Sequence, residues 1–261
     1  MNPLPRRLAL LVACIFLGVS CSSLAPPASA TPPPTPSQPP LPTSTIPLPT
    51  AQPIPTATLA PPPTPTPTPL PTFRDEFEEM LSPGWSWIRE RPTRWSLASN
   101  PGYLTITLEG GTFHRNLLVR DATSPNFEIS THVLFTPKSN FQFAGLLVYD
   151  SDESMATFGR AFCNLAGPCK GNAIYFDNLQ DGQLVSPNFA MTTRSLDQAY
   201  LRITRIGTTL TGSYSEDGTA WRIIGQHFVH MDAPKVGVYA GNSYVVGVEA
   251  RFDYFELVEF P

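Results

Sequence analysis

From Phe73 onward, apolar and polar residues alternate over short runs that end in turn residues: YLTITLE, FEISTHVLF, FAGLLVY, NAIYFD, YLRITRI, LTGSY, WRIIG, KVGVYA and RFDYFELV. A period of two marks β-strands with one buried face, and no segment sustains the 3.6-residue period of an amphipathic helix. The pattern predicts an all-β sandwich of two antiparallel sheets over residues 73–261. Two of its turns have a chemical basis. Asp217 and Gly218 lie between LTGSYS and WRIIG, and Gly207 lies between YLRITRI and TTLTGSY. Glycine takes the positive φ that tight reversals demand.

The stretch WSWIRERPTRW, residues 85–95, sets three of the chain's four tryptophans among Arg89, Arg91 and Arg94. Read as a strand, it places Trp85, Trp87 and Arg89 on one face and Ser86, Ile88 and Glu90 on the other. FQFAGLLVY similarly places Phe141, Phe143, Gly145, Leu147 and Tyr149 on one face, with Gln142 opposite. An indole offers a flat apolar surface to the C–H face of a pyranose, and an arginine donates to its hydroxyls. Trp87 and Arg89, with Arg115, Asn116, Gln142, Tyr149, Arg160 and Tyr175, therefore form the candidate carbohydrate-binding set. The competing reading places tryptophans between the sheets and arginines over an apolar rim. Trp221, at the end of the SEDGTAW hairpin, is expected in the core.

Composition changes before Phe73. Twenty of the 31 prolines fall between Pro26 and Pro71, and no charged residue occurs between Arg7 and Arg74. Such a segment buries too little apolar surface to offset its ordering entropy, so residues 22–72 read as an extended, disordered Pro/Thr stalk. Residues 1–21 read as a signal peptide: Arg6 and Arg7 precede the apolar run LALLVACIFLGV. LGVSCSS resembles a bacterial lipobox with Cys21 as the lipidated residue, while the small-residue site Ala28–Ala30 competes for cleavage. The first outcome gives a cell-surface lipoprotein that meets the membrane only through its lipid, the second a secreted protein. Both place the domain outside the cytoplasm. There CNLAGPC is expected to close as a local Cys163–Cys169 disulfide.

The formal charge of −4 argues against nucleic-acid binding, which needs many uncompensated cations. No phosphate-binding loop, nucleophile elbow or dinucleotide fingerprint appears. His227 and His230 lack a third ligand for a metal and read as loop or strand-edge residues.

The ordered series FRDEF, WSWIRE, WSL, NPGYLTI, RNLL, FAGLLVYDSDE, YLRITR, YSEDGTAW and FDYFEL resembles the concanavalin A-like domain at the C-terminus of glycoside hydrolase family 43 β-xylosidases. The resemblance spans nearly all of 73–260 and implies a jelly-roll with one concave sheet. In those enzymes the catalytic carboxylates belong to a separate propeller, for which the segment before Phe73 has no suitable composition. The E-x-D-x-E strand of the related family 16 glucanases is also missing, and glycoside hydrolysis needs paired carboxylates. The glucanases further imply a structural calcium ion tying the two ends of the domain, with Glu76 of FRDEF and Asp253 of FDYFE as ligands. The alternative pairs Asp75, Glu76 and Asp253 with Arg74 and Arg251. The resulting expectation is a non-catalytic, surface-held module that binds an oligo- or polysaccharide. A structural or protein-interaction module without sugar, and a small glycoside hydrolase, stand as alternatives.

Overall fold

The computed structural model describes residues 72–110, 114–167, 169–241 and 247–261. The expected signal peptide, the expected lipobox at Cys21 and all but the end of the expected stalk lie outside the described residues. The chain begins with β1 (Phe73–Asp75), β2 (Ser86–Ile88), β3 (Trp95–Ser96), β4 (Leu104–Thr107) and β5 (Leu117–Asp121). It continues with β6 (Asn126–Leu134), β7 (Phe143–Ser151), β8 (Ser154–Cys163), β9 (Gly171–Gln180), β10 (Gln183–Leu184) and β11 (Phe189–Met191). The last five strands are β12 (Gln198–Ile206), β13 (Thr209–Ser215), β14 (Arg222–Phe228), β15 (Lys235–Gly241) and β16 (Glu249–Phe260). Among the described residues the one helical element is a 3-10 turn at Pro92–Arg94.

These strands form two antiparallel sheets packed as a sandwich. The first runs β14-β13-β12-β6-β16-β4-β3, with β1 also on β16, and the second runs β10-β9-β8-β7-β15-β5-β2, with β11 also on β9. Alternation fills the space between them. Ile106, Phe127, Ile129, Ile203 and Phe252 from the first sheet meet Leu118, Leu146, Phe158, Phe176 and Val238 from the second, all fully buried in one cluster. Burying side chains of this size stabilises by about 1.5–3 kcal/mol each relative to exposure.

The reversals follow the glycines: Gly207 has φ +57° and Gly218 φ +76°. Asp217 completes the β13–β14 loop by accepting from the backbone N–H groups of Thr219 and Ala220, both at 2.8 Å. Trp221 differs from its expected core position. It is half-buried under the guanidinium of Arg202, 3.8 Å above the ring. The side chain of Arg202 points away from the core because its neighbours Leu201 and Ile203 point in.

Strand β8, SMATFGRAFC, is the long strand that polarity alone does not mark. Ala156, Phe158 and Arg160 face inward, and Met155, Thr157, Gly159 and Ala161 face outward, so both faces mix polar with apolar residues. Gly145 and Gly159 are paired across β7 and β8. A Cβ on Gly159 would lie 2.3 Å from the carbonyl oxygen of Ala144, and one on Gly145 would lie 2.3 Å from that of Phe158. The backbones approach too closely for any side chain. Gly159→Ala is expected to destabilise the chain by about 1–3 kcal/mol through overpacking, read as a lower urea midpoint at unchanged slope. An unchanged midpoint would show that the two strands separate freely there.

Candidate functional site

The two outer faces of the sandwich differ in chemistry. On the first sheet, His132 stacks on Tyr200 at 4.1 Å and hydrogen-bonds Asp253 at 3.1 Å and Gln198 at 3.0 Å. Beside it Arg202 pairs with Glu128 at 3.1 Å, and Arg74 pairs with Glu76 at 2.6 Å while lying over the ring of Tyr254. The polar groups of this face largely satisfy one another. On the second sheet the outer face carries a separate apolar cluster built from Leu117, Val119, Phe143, Leu147, Met155 and Tyr239. It opens into a cavity of about 480 Å³.

Register explains the cavity floor. Tyr239, Gly145, Gly159 and Tyr175 are successive partners across β15, β7, β8 and β9, so two glycines lie between two tyrosines. Strand spacing sets those tyrosines about 14 Å apart. Each ring is held. The Tyr175 hydroxyl donates to the carbonyl of Gly171 at 2.9 Å and accepts from the N–H of Lys170 at 2.8 Å. The Tyr239 hydroxyl shares a 2.7 Å hydrogen bond with His114 Nδ1, and its ring stacks on Phe143. Burial raises both phenol pKa values and lowers that of His114, so all three groups are neutral at pH 7. Cys163 and Cys169 also line the cavity as a disulfide with Cα atoms 5.1 Å apart.

One row further along, Leu147, Thr157 and Asp177 are successive partners. Asp177 lines the cavity, is half-buried and makes no hydrogen bond or ion pair among the described residues. Desolvation pushes its carboxyl up to about 6. Asn188, also in the lining, has a buried Oδ1 without a hydrogen-bond partner. The sequence reading missed Asp177, although it stands two residues after Tyr175 and so on the same strand face.

The residues expected to bind sugar are dispersed. Tyr175 is in the cavity floor, and Arg89 and Tyr149 meet on the same outer face at its edge, joined by Asp152. Arg89 grips that carboxylate with two bonds of 2.8 and 2.7 Å, and the Tyr149 hydroxyl donates to it at 3.1 Å. Trp87 is a correction: its ring packs on the core and lies 4.9 Å from that of Trp95, while Ser86 and Ile88 point the other way. Alternation identified the two faces of this strand but not which faced the core. Arg89 then leaves the shared face because its left-handed backbone, φ +53°, breaks the alternation.

Arg160 is a second correction. It is fully buried and donates to the carbonyls of Phe135, Ser195 and Gln198 at 3.0–3.1 Å and to the side chains of Thr193 and Asn172. It clamps one end of the sandwich, with its pKa lowered by burial to about 10. Asn116 and Gln142 are buried and satisfy backbone groups: Asn116 accepts from the N–H of Arg91, and Gln142 from those of Lys138 and Ser139. Arg115 is half-buried and makes no side-chain hydrogen bond among the described residues.

For calcium, the structure gives the two chosen ligands other partners. Glu76 pairs with Arg74, and Asp253 with His132. The neighbouring Asp75 accepts from the N–H groups of Phe77 and Ser82 and from the Trp85 indole, at 2.8–2.9 Å. Among the described residues no three His, Cys, Asp or Glu side chains gather as a metal site. The donor set therefore does not fit the ion. His227 lies on β14, the edge strand of the first sheet, and bridges the sheets, with Nε2 3.1 Å from the carbonyl oxygen of Phe176.

Fold and face together define a lectin-like β-sandwich with a shallow outer cavity and no propeller among its described residues. The chain belongs to the family of β-xylosidase C-terminal concanavalin A-like domains, whose model matches residues 74–258. Similar solved structures include a glycoside hydrolase family 43 protein of Bacillus licheniformis, at 19% identity and a TM-score of 0.63. Another is a xylan β-1,4-xylosidase of Bacillus halodurans, at 20% identity and 0.61. These alignments cover 72% and 71% of this chain but 39% of either enzyme. A winged bean acidic lectin, complexed with methyl-α-D-galactose, aligns over 73% of this chain and 99% of its own at 12% identity, with a TM-score of 0.51. No curated protein matches the sequence.

Asp177 makes the site's electrostatics testable. Folding raises its pKa from the ordinary 3.8 to about 6, so the folded chain holds the proton more tightly than the unfolded one. Stability is greatest with the carboxyl protonated, falls as pH rises from about 4 to about 6, and stays lowered above. Asp177→Asn is expected to stabilise the chain by about 1–3 kcal/mol at pH 7 and by little at pH 3.5, in urea titrations at both pH values. An equal effect at the two pH values would contradict this.

Proposed function

We propose that the chain is an exported, surface-anchored, non-catalytic glycan-binding protein whose recognition surface is the outer face of the second sheet. The observation that carries this reading is the cavity lined by Tyr239 and Tyr175, which strand register sets on either side of the Gly145–Gly159 pair. Fixed aromatic residues and apolar walls suit the C–H face of a sugar ring. The rest of the cavity supplies few polar contacts, which serve to orient a ligand. The lectin of the same fold, crystallised with methyl-α-D-galactose, supports the class of ligand.

The non-catalytic assignment rests on carboxylate number. Asp177 is the one carboxylate in the cavity lining among the described residues, and Asp152 at its edge is held by Arg89. Hydrolysis of a glycoside needs two carboxylates flanking the bond, one acid and one base or nucleophile. Export and anchoring rest on the leader, the lipobox at Cys21 and the proline-rich segment that follows it.

On an array of plant and microbial glycans, the full chain is expected to bind a defined set. Tyr175→Ala should weaken that binding by about tenfold, the range of one lost stacking contact, while Tyr200→Ala on the opposite face leaves it unchanged. Silence of the folded chain across the array, or equal loss from both variants, would overturn the reading. In a bacterial host fed labelled palmitate, the chain should take up label and Cys21→Ala should not. An unlabelled wild-type chain would contradict lipid anchoring.

A further inference from the structure

We propose that the cavity on the second sheet selects a sugar unit carrying a protonated amine, with Asp177 as the residue that receives the ammonium group. This inference rests on the glycan-binding reading and narrows it to a ligand class. Three observations lead to it. First, Asp177 is a carboxylate without a hydrogen bond or ion pair, in a cavity whose described lining contains no lysine or arginine. Asp152, at the cavity edge, is by contrast held by Arg89 and Tyr149. A carboxylate kept free in apolar surroundings costs stability, and a cationic ligand is what recovers that cost.

Second, the same cavity holds acceptor atoms that an ammonium group could use, since a threonine hydroxyl accepts as well as donates and an amide oxygen accepts. Thr157 pairs with Asp177 directly across β8 and β9 and makes no hydrogen bond of its own among the described residues. Asn188, in the same lining, presents a buried Oδ1 that no donor reaches. An ammonium group has three N–H donors and no acceptor, which complements this set. A buried unpartnered donor in the lining, Gln142 Nε2, lies toward the far end of β8, where Gln142 bonds Phe162 and not Thr157. It is positioned for a different part of a ligand.

Third, the walls are aromatic. Tyr175 stands two residues before Asp177 on the same face of β9, while Tyr239, Phe143 and Phe189 line other parts of the cavity. Ring faces attract a cation as well as the C–H face of a sugar. The other titratable groups facing the cavity are His114, Tyr175 and Tyr239, none of them cationic or anionic at pH 7, and Arg89 behind His114 is neutralised by Asp152. Asp177 is therefore the group that decides the sign of charge the cavity accepts. A neutral sugar would leave it unpaired, and an acidic sugar would be repelled.

The test uses the full chain and three oligosaccharides of one length and linkage that differ at a single substituent: chitosan oligomers bearing a free amine, chitin oligomers bearing an acetamide, and cello-oligomers bearing a hydroxyl. Isothermal titration at pH 7 is expected to show the amine series binding at least about tenfold more tightly than the other two, and Asp177→Asn abolishing that preference. Thermal denaturation of Asp177→Asn establishes that the variant is folded. Equal binding of all three series overturns the inference and leaves the glycan reading standing. Binding of none of them, with binding of other neutral glycans, also overturns it. Choline, a cation without N–H donors, separates simple charge attraction from recognition of the amine. If choline binds as tightly as the amino sugars, the proposed ligand class is wrong.

Discussion

The site depends on the register of the β7–β8 hairpin. Strands Phe143–Ser151 and Ser154–Cys163 are joined by the two-residue turn Asp152-Glu153, and a bulge between Tyr149 and Ser151 shifts the register by one residue, which sets Gly145 opposite Gly159. A slip by one residue would exchange the two faces, bringing Leu146 and Phe158 out of the core and sending the glycines into it. Neither glycine tolerates a Cβ, so the pairing is held by the close approach of the backbones as well as by burial. The tip of the same hairpin carries Asp152, which anchors Arg89 at the end of β2. One hairpin thus sets the floor of the cavity and ties down its edge.

The two faces of the sandwich show how the chain distributes its polar groups. On the first sheet, histidine, arginines and carboxylates pair with one another and close the surface. On the second, the largely apolar cavity holds one carboxylate, Asp177, without a hydrogen bond or ion pair among the described residues. Polar groups that satisfy each other have little free-energy gain to offer a ligand, whereas an unpaired carboxylate in apolar surroundings has much to gain from one. A residue whose ionised form lowers stability is retained at the cost of that stability, which is the trade expected at a binding site.

Much of the fold was legible because alternation with period two is set by the pleat itself. Strands such as FAGLLVY and YLRITRI read directly, and so did the turns at Gly207 and Asp217-Gly218. β8 was less visible, since its inward face ends in Arg160 and its outward face contains Met155 and Ala161; here size and packing, not polarity, separate the faces. The site was legible only in part. Alternation groups residues by face but does not say which face meets the opposite sheet, so Trp87 was assigned to the wrong side. Arg160 resembled a surface arginine because its acceptors, the carbonyls of Phe135, Ser195 and Gln198, come from segments 25 to 38 residues away. Asp177 had a readable signal, an acid at the alternate position after Tyr175, but its lack of a partner is a property of the folded chain.

The central claim is that ligand recognition occurs on the outer face of the second sheet. The most direct measurement is a titration of the isotopically labelled full chain with the best array ligand, followed by amide chemical shifts. The account predicts shift changes concentrated at Gly145, Gly159, Tyr175, Asp177 and Tyr239, with His132, Tyr200 and Arg202 unmoved. Changes centred on the first sheet, or spread evenly over both, would contradict it.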